Sequence, residues 1–301
     1  MRISTAQMFQ QQVTAMLEQQ VEMARTEQQL ATGKRLISAA DDPAASMRSL
    51  QLGDRLTQNE QYLKNLDAAQ SRLELEEGAL ASSVDVLQRV RELAVQARNA
   101  SLGPGDLQAI EVEVRSHLDG LLSLANTQNA NGEFLFSGYQ VDTQPFSSDG
   151  SGNFAYNGDQ GQQHLQVSQI RQIAAADNGT DIFLGVNAAA GGITSSFDIL
   201  NDFADALAAG SVTADTLIDI DSAMDKILNM RADVGSRLRA VDEQRATNES
   251  FKLVLEKERA DLVDLDYTEA ISRFNQQLLA LQASEQVFAK VQDLSLFDYL
   301  G

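Results

Sequence analysis

Few side chains in this 301-residue sequence are spaced to do chemistry. Its two histidines, His117 and His164, stand far apart and lack neighbours at ligand spacing, so His117 reads as a surface or seam residue of a helix. Carboxylate pairs occur at Asp41-Asp42 and Glu76-Glu77, and a positioned pair of acids is what general acid–base catalysis would require. Adjacent helical residues point about 100° apart, however. Glu76-Glu77 therefore reads as a solvated face, and Asp41-Asp42 as a helix cap that also pins a terminal arm. Neither a phosphate-cradling glycine loop nor a nucleophile elbow is present, and Gly191-Gly192 and the glycines of 150–161 read as turns. With no cysteine there is neither a disulfide framework nor a thiolate metal site. The expectation is a non-enzymatic chain with no catalytic residue, metal or cofactor.

The elements around these residues are mostly long helices. Between residues 44 and 100 there is no proline, and spacings of three and four run through Leu52, Leu56, Asn59, Leu63, Leu66, Gln70, Leu73, Glu77, Leu80, Val84, Leu87, Arg91 and Ala94. Nine of these thirteen positions are apolar, which is a heptad seam with polar interruptions. Asp42 can cap its first free N–H groups, and Pro43 at the first helical position loses no needed donor. Gly103-Pro104-Gly105 breaks the chain, Asp106 can cap a second helix, and Phe134-Leu135-Phe136 reads as a short strand.

Residues 138–194 turn polar and Gly-rich, with strand-like runs at 153–156, 164–167 and 181–184. Helical pattern resumes near Ser196. It becomes heptad-like from Leu217 to Val241 and continues, after a shift of phase, through Phe251, Leu255, Leu262 and Leu265. The last helix carries Tyr267, Ile271, Phe274, Leu278, Leu281 and Phe288 on one stripe. The first 36 residues carry a weaker one at Phe9, Val13, Met16 and Leu30. Both ends are therefore helices with narrow apolar seams, which an antiparallel pairing would bring together. Helices with so little to bury are marginal alone, so these ends are expected to order fully only when copies pack around them.

A net charge of −20 disfavours nucleic acid or anionic membrane as partner. The charge is uneven, since residues 1–65 hold seven acids against seven bases. That segment meets the least repulsion in packing against copies of itself. The start, Met1 to Gln7, lacks the apolar core of a cleavable signal, and no segment approaches a membrane span.

Several strings together resemble the flagellin family of bacterial flagellar proteins. They are Thr32-Gly33-Lys34-Arg35-Leu36-Ile37-Ser38-Ala39-Ala40-Asp41-Asp42-Pro43-Ala44, the block from Arg89 to Asn99, Leu121 to Gln140 with Phe134-Leu135-Phe136-Ser137-Gly138, Val234-Gly235-Ser236-Arg237-Leu238, and Asp264 to Ala270. The resemblance spans roughly 1–140 and 215–301. Within that family the opening Arg2-Ile3-Ser4-Thr5, the Asp-Asp-Pro-Ala-Ala string and the ending Leu294 to Leu300 resemble the hook-associated members at the hook–filament junction more than a short flagellin. A coiled-coil adaptor unrelated to flagella is the rival from another class.

The resemblance implies an elongated antiparallel helical rod, mainly α, with paired terminal helices; the strand-like runs of 138–194, which match no pattern of the family, read as a small β-rich inserted domain rather than a disordered loop. Together these divide the chain into a terminal domain (1–41 with 266–301), a rod (42–137 with 195–265) and an insertion (138–194). The resemblance implies self-assembly through Phe9, Val13, Met16, Leu30, Ile271, Phe274, Leu278, Leu281, Phe288, Leu296 and Phe297. The arm would join the rod at Arg35, Asp41, Asp42 and Pro43. The implied partners are copies of the chain, a hook-associated protein on the hook side, flagellin on the filament side, and a cytoplasmic export chaperone gripping Tyr267, Phe274, Leu281 and Phe288. The implied location is outside the cell, in the flagellum, reached without a cleaved signal peptide.

Overall fold

The computed structural model describes residues 5–99 and 101–300, with side chains for residues 7, 9–99 and 101–290. The described residues form seven helices and three two-stranded antiparallel sheets. In chain order these are α1 (Thr5–Thr32), α2 (Pro43–Ala97), α3 (Pro104–Ala125), β1 (Phe146–Ser148), β2 (Phe154–Tyr156), β3 (His164–Gln166), β4 (Gln172–Ala174), α4 (Gly179–Phe183), β5 (Val186–Asn187), β6 (Ile193–Thr194), α5 (Ser196–Ala208), α6 (Asp215–Val263) and α7 (Tyr267–Leu300). The fold is mainly α with small β pieces, as the pattern predicts. It divides into two compact units, Met1–Gln58 with Phe251–Gly301, and Asn59–Ser250.

In the 59–250 unit, heptad spacing sets what is buried. Along α2 the residues Leu66, Leu73, Leu80, Leu87 and Ala94, seven apart, are all buried. Along α6 the same holds for Ile220, Ile227, Val234, Val241 and Asn248. Leu255 and Leu262, buried and half-buried, continue that seven-residue series, so α6 keeps one phase throughout. The expected shift of phase rested on Phe251, which is exposed; the polar Asn248 disguises the true core position. On α3 the stripe Ile110, Val114, Leu118, Leu121 and Ala125 is buried, and it packs on α5, whose Phe197, Leu200, Phe203, Ala204 and Leu207 are buried.

The helix starts follow local chemistry. Asp42 Oδ1 accepts from the Ala45 N–H at 2.9 Å, with Pro43 opening α2. At α3 the cap is Gly103, and Asp106 sits three positions inside the helix. Glycine has no side chain to offer, so the Asp106 carboxylate reaches back to the Gly103 N–H at 2.9 Å.

The polar middle segment pairs as β1–β2, β3–β4 and β5–β6, in registers Phe146↔Tyr156, His164↔Ala174 and Val186↔Thr194. Two expected strands are absent. Residues 181–184 fall largely in the short helix α4, because the Asn178 side chain caps it by accepting from the Asp181 N–H. Phe134-Leu135-Phe136 keeps only an isolated bridge, Gln128↔Phe134. Its backbone bonds instead reach scattered partners, Phe134 N–H to Val141 O at 2.8 Å and Leu135 N–H to Thr127 O at 3.0 Å. Phe136 is buried edge-on against Phe183, with ring centroids 5.6 Å apart. The insertion thus shares its core with the helices. Phe146 lies 5.6 Å from Phe183 and 5.0 Å from Phe197 of α5, and all three belong to one continuous buried cluster with α2, α3 and α6 residues.

The same sharing corrects the reading of Glu76-Glu77 as a solvated face. Glu77 is half-buried and bonds Arg231 of α6 at 2.6 Å, while Glu76 is only 1% exposed. Glu76 falls three after Leu73 and four before Leu80, on the buried stripe of α2, a core position that its charge disguises in the sequence.

Candidate assembly surfaces

In the unit formed by 1–58 and 251–301, α1 and α7 run antiparallel against each other. The Phe9 and Phe288 rings sit 5.0 Å apart near one end, and Ser284 Oγ donates to Gln19 Oε1 at 3.0 Å further along. On α1 the side chains turned inward are Gln12, Val13, Met16, Gln19, Met23, Thr26, Gln29 and Leu30, all half-buried or buried. On α7 they are Ala270, Phe274, Gln277, Leu281, Ser284 and Phe288, spaced four and three like a heptad. Amides and hydroxyls hold much of this seam, and the Gln12 and Gln277 side-chain oxygens are buried there without a donor among the described residues. A seam so short of apolar bulk stabilises the pair weakly.

The apolar side chains left outside it form a second feature. Leu17 and Val21 are 53% and 66% exposed, and Ile271 and Leu278 are 50% and 36% exposed. Helical spacing puts Leu17, Ile271 and Leu278 toward one flank of the antiparallel pair and Val21 on the face of α1 turned away from α7. Leu279 and Val287 of α7 are exposed as well, at 66% and 53%. The opposite flank is a cleft lined by Ala15, Glu18 and Glu22 from α1 and Arg273, Gln276 and Ala280 from α7.

The junction below the arms is built from hydrogen bonds. Gly33 ends α1 with φ of +68°, its N–H bonding Gln29 O at 2.9 Å, a glycine stop in the left-handed region. The two chain crossings then zip together. Arg35 N–H donates to Val263 O at 2.7 Å, Leu265 N–H to Gly33 O at 3.0 Å, and the Arg35 guanidinium to Leu262 O at 2.8 Å. Asp41 pairs with Arg25 at 2.6 Å and accepts the N–H groups of Ile37 and Ser38 at 2.8 Å each. The Ser38 and Ile37 N–H bonds, with Arg25, hold its carboxyl below the usual range. Asp42 stands 4.0 Å from Arg35. A polar cleft of about 390 Å³ opens here, lined among others by Arg25, Arg35, Asp41, Glu269 and Arg273.

The structure thus gathers Arg35, Asp41, Asp42 and Pro43 into one junction. Phe274, Leu281 and Phe288 lie in the α1–α7 seam together with Val13, Met16 and Leu30; Phe9, its ring tilted against that of Phe288, stays 40% exposed. Ile271 and Leu278 face outward, as does Tyr267, whose hydroxyl lies over Gly33. The side chains of Leu296 and Phe297 lie outside the described residues. Sequence reasoning missed Ala270, Gln277 and Ser284 as inward positions, while Leu17 and Val21, which sit beside the stripe of the first helix in the sequence, are exposed. The signal available was the seven-residue series through Phe274, Leu281 and Phe288, whose other flank is small or polar. His117 sits half-buried on α3, 3.7 Å from Glu113, and His164 is exposed on β3.

Residues 3–141 match the family model described as the bacterial flagellin N-terminal helical region, and residues 217–300 match the bacterial flagellin C-terminal helical region. Flagellar hook-associated protein 3 of Escherichia coli is 30% identical, in an alignment covering 99% of both chains. Its namesake in Salmonella typhimurium is 28% identical over the same shares. Among solved structures, the flagellar hook-associated protein 3 of Legionella pneumophila shares the fold with a TM-score of 0.67 at 22% identity, covering 70% of this chain and 98% of that one.

Proposed function

We propose, for a chain that belongs to the flagellar hook-associated protein 3 family, that the outward flank of the α1–α7 pair is where one copy packs on the next. The chain is a structural subunit of the bacterial flagellum at the hook–filament junction, and it serves motility. The flank carries the assembly reading: Leu17, Ile271 and Leu278 lie exposed on one side of a pair whose own seam is thin, and Val21 lies exposed one turn from Leu17. Contiguous exposed apolar side chains of this kind belong to surfaces that another protein covers. Phe274, Leu281, Phe288, Val13, Met16 and Leu30 hold the pair in register from within, and Phe9, Leu296 and Phe297 extend the contact toward the chain ends. The junction of Arg35, Asp41, Asp42 and Pro43 fixes how the arms leave the long helices.

The neighbours follow from the same reading. Copies of this chain form a layer, a hook-associated protein lies on the hook side and flagellin on the filament side. The function is mechanical, with no catalytic step. The chain works outside the cell, in the flagellum, and leaves the cytoplasm without a cleaved signal peptide. A cytoplasmic chaperone grips Tyr267, Phe274, Leu281 and Phe288 before export. Three of these four side chains lie in the seam with α1, so the chaperone and α1 compete for one face of α7 and cannot hold it together. A short flagellin is the less favoured alternative, since the relatives matched from end to end are hook-associated proteins.

The test is a chromosomal Leu17→Asp, Leu278→Asp double variant. The purified chain keeps wild-type helicity, while cells carry hooks without attached filaments and shed flagellin into the medium. Normal filaments on cells producing the variant at wild-type level would sink the assignment of the flank.

A further inference from the structure

Inside the 59–250 unit three charged side chains meet from three directions. Glu76 comes from α2, Asp177 from the turn ahead of α4, and Arg237 from α6. Glu76 is 1% exposed, and both of its carboxyl oxygens lack a donor among the described residues. Asp177 is also buried; it accepts from Gln162 Nε2 at 2.6 Å and pairs with Arg237, whose guanidinium also points at Ala174 O, 3.4 Å away. The other charged groups around Glu76 are engaged elsewhere. Arg72, one turn earlier on α2, bonds Glu133 at 2.9 Å as well as Gln163 through its terminal nitrogens, its Nε being buried without an acceptor among the described residues, and Glu77 bonds Arg231 at 2.6 Å. Two buried carboxyl groups thus share one guanidinium, whose side chain is 18% exposed. Ionising both would leave a buried negative charge with nothing to compensate it, a state that buried acids escape by keeping a proton.

We propose that Glu76 is a neutral carboxylic acid donating its proton to the Asp177 carboxylate, and that this shared proton pins the 162–179 segment onto α2 and α6. Desolvation is the largest influence on Glu76 and drives its carboxyl well above the ordinary range; the Asp177 charge acts the same way and Arg237 opposes it. The direction of the pH effect follows. In the unfolded chain this carboxyl ionises near the ordinary 4.5, while in the folded chain it keeps its proton to higher pH. Between those limits the folded state binds more protons, so rising pH shifts the balance toward unfolding, by at most about tenfold per pH unit for one proton. Beyond the upper limit the pin is gone and the insertion loosens while the helices around it remain.

Carboxyl-carbon NMR of the full chain labelled at glutamate tests this directly. The expected result is one glutamate resonance that stays protonated after the others have ionised, is missing in Glu76→Gln, and moves its midpoint downward in Asp177→Asn. Should Glu76→Gln fail to fold, the shift in Asp177→Asn assigns the resonance. Exchange protection of peptides within 162–179, taken relative to α3, falls across that midpoint in the wild-type chain and stays constant in Glu76→Gln. Every glutamate titrating together near the ordinary value overturns the proposal, and so does protection of 162–179 that is unchanged across the midpoint.

Discussion

Asn59 of α2 donates its side-chain amide to the backbone carbonyl of Asn248 on α6, at 2.9 Å, in a fully buried position. The Asn248 side chain in turn donates to Val167 O at 3.0 Å, beside the β3–β4 hairpin. Two core positions that an all-apolar seam would fill with leucine instead tie helix to helix and helix to hairpin. Asn248→Leu should keep the helices paired but orphan the Val167 carbonyl, costing about 1–3 kcal/mol. Equilibrium urea unfolding followed by circular dichroism measures this, and an unchanged or raised midpoint would contradict it.

Gly138 holds φ at +75°, and a Cβ there would collide with the carboxylate and backbone carbonyl of Asp159. That contact matters, because Asp159 N–H bonds Ser137 O at 3.1 Å and its carboxylate takes the Tyr139 N–H at 2.9 Å. Gly138→Ala meets both backbone strain and steric overlap, for an expected loss of about 1–3 kcal/mol. The same replacement at Gly132, also at positive φ but with open space around it, should cost less. Equal melting temperatures for the two variants would refute the steric half of the argument.

The arm junction should be sensitive to acid. The Asp41 carboxyl is held below its ordinary 3.8, chiefly by the Ser38 and Ile37 N–H groups. A lowered folded value means that its contribution is present above the unfolded value and fades as pH falls through the folded one. The Ile37 and Ser38 amide resonances should therefore titrate together with a midpoint below 3.8, and lose that titration in Asp41→Asn. A midpoint at or above the ordinary value would show that the loop does not hold the ionised form.

The α1–α7 pair should be the least protected helical part of the isolated chain. Its seam is half polar, and the Phe9–Phe288 ring contact closes one end. Phe288→Ala removes that ring contact, at about 1–3 kcal/mol, and should raise amide exchange in α1 and α7 without altering α3. Strong protection of 9–30 and 274–288 in the lone wild-type chain would show that the arms are complete without neighbours.

Much of this architecture was legible in the sequence because it is local. Spacing of leucines and valines placed α2, α3, α5 and α6, and Asp42-Pro43 marked where α2 begins, since periodicity and capping depend on a few neighbouring residues. The pairing of two end helices with narrow seams was legible for the same reason, and so was the family, which rests on strings of residues read in order. The tertiary structure alone decided what depends on partners distant in the chain. Glu76 stands on the buried stripe of α2, yet its charge reads as surface, and only the tertiary structure shows that Asp177 and Arg237 meet it there. On α7, Ile271 and Leu278 are as apolar as Phe274 and Leu281, and only the position of α1 decides which pair turns inward. A helix specifies its own stripes through its turn; which stripe is covered is settled by whatever packs against it.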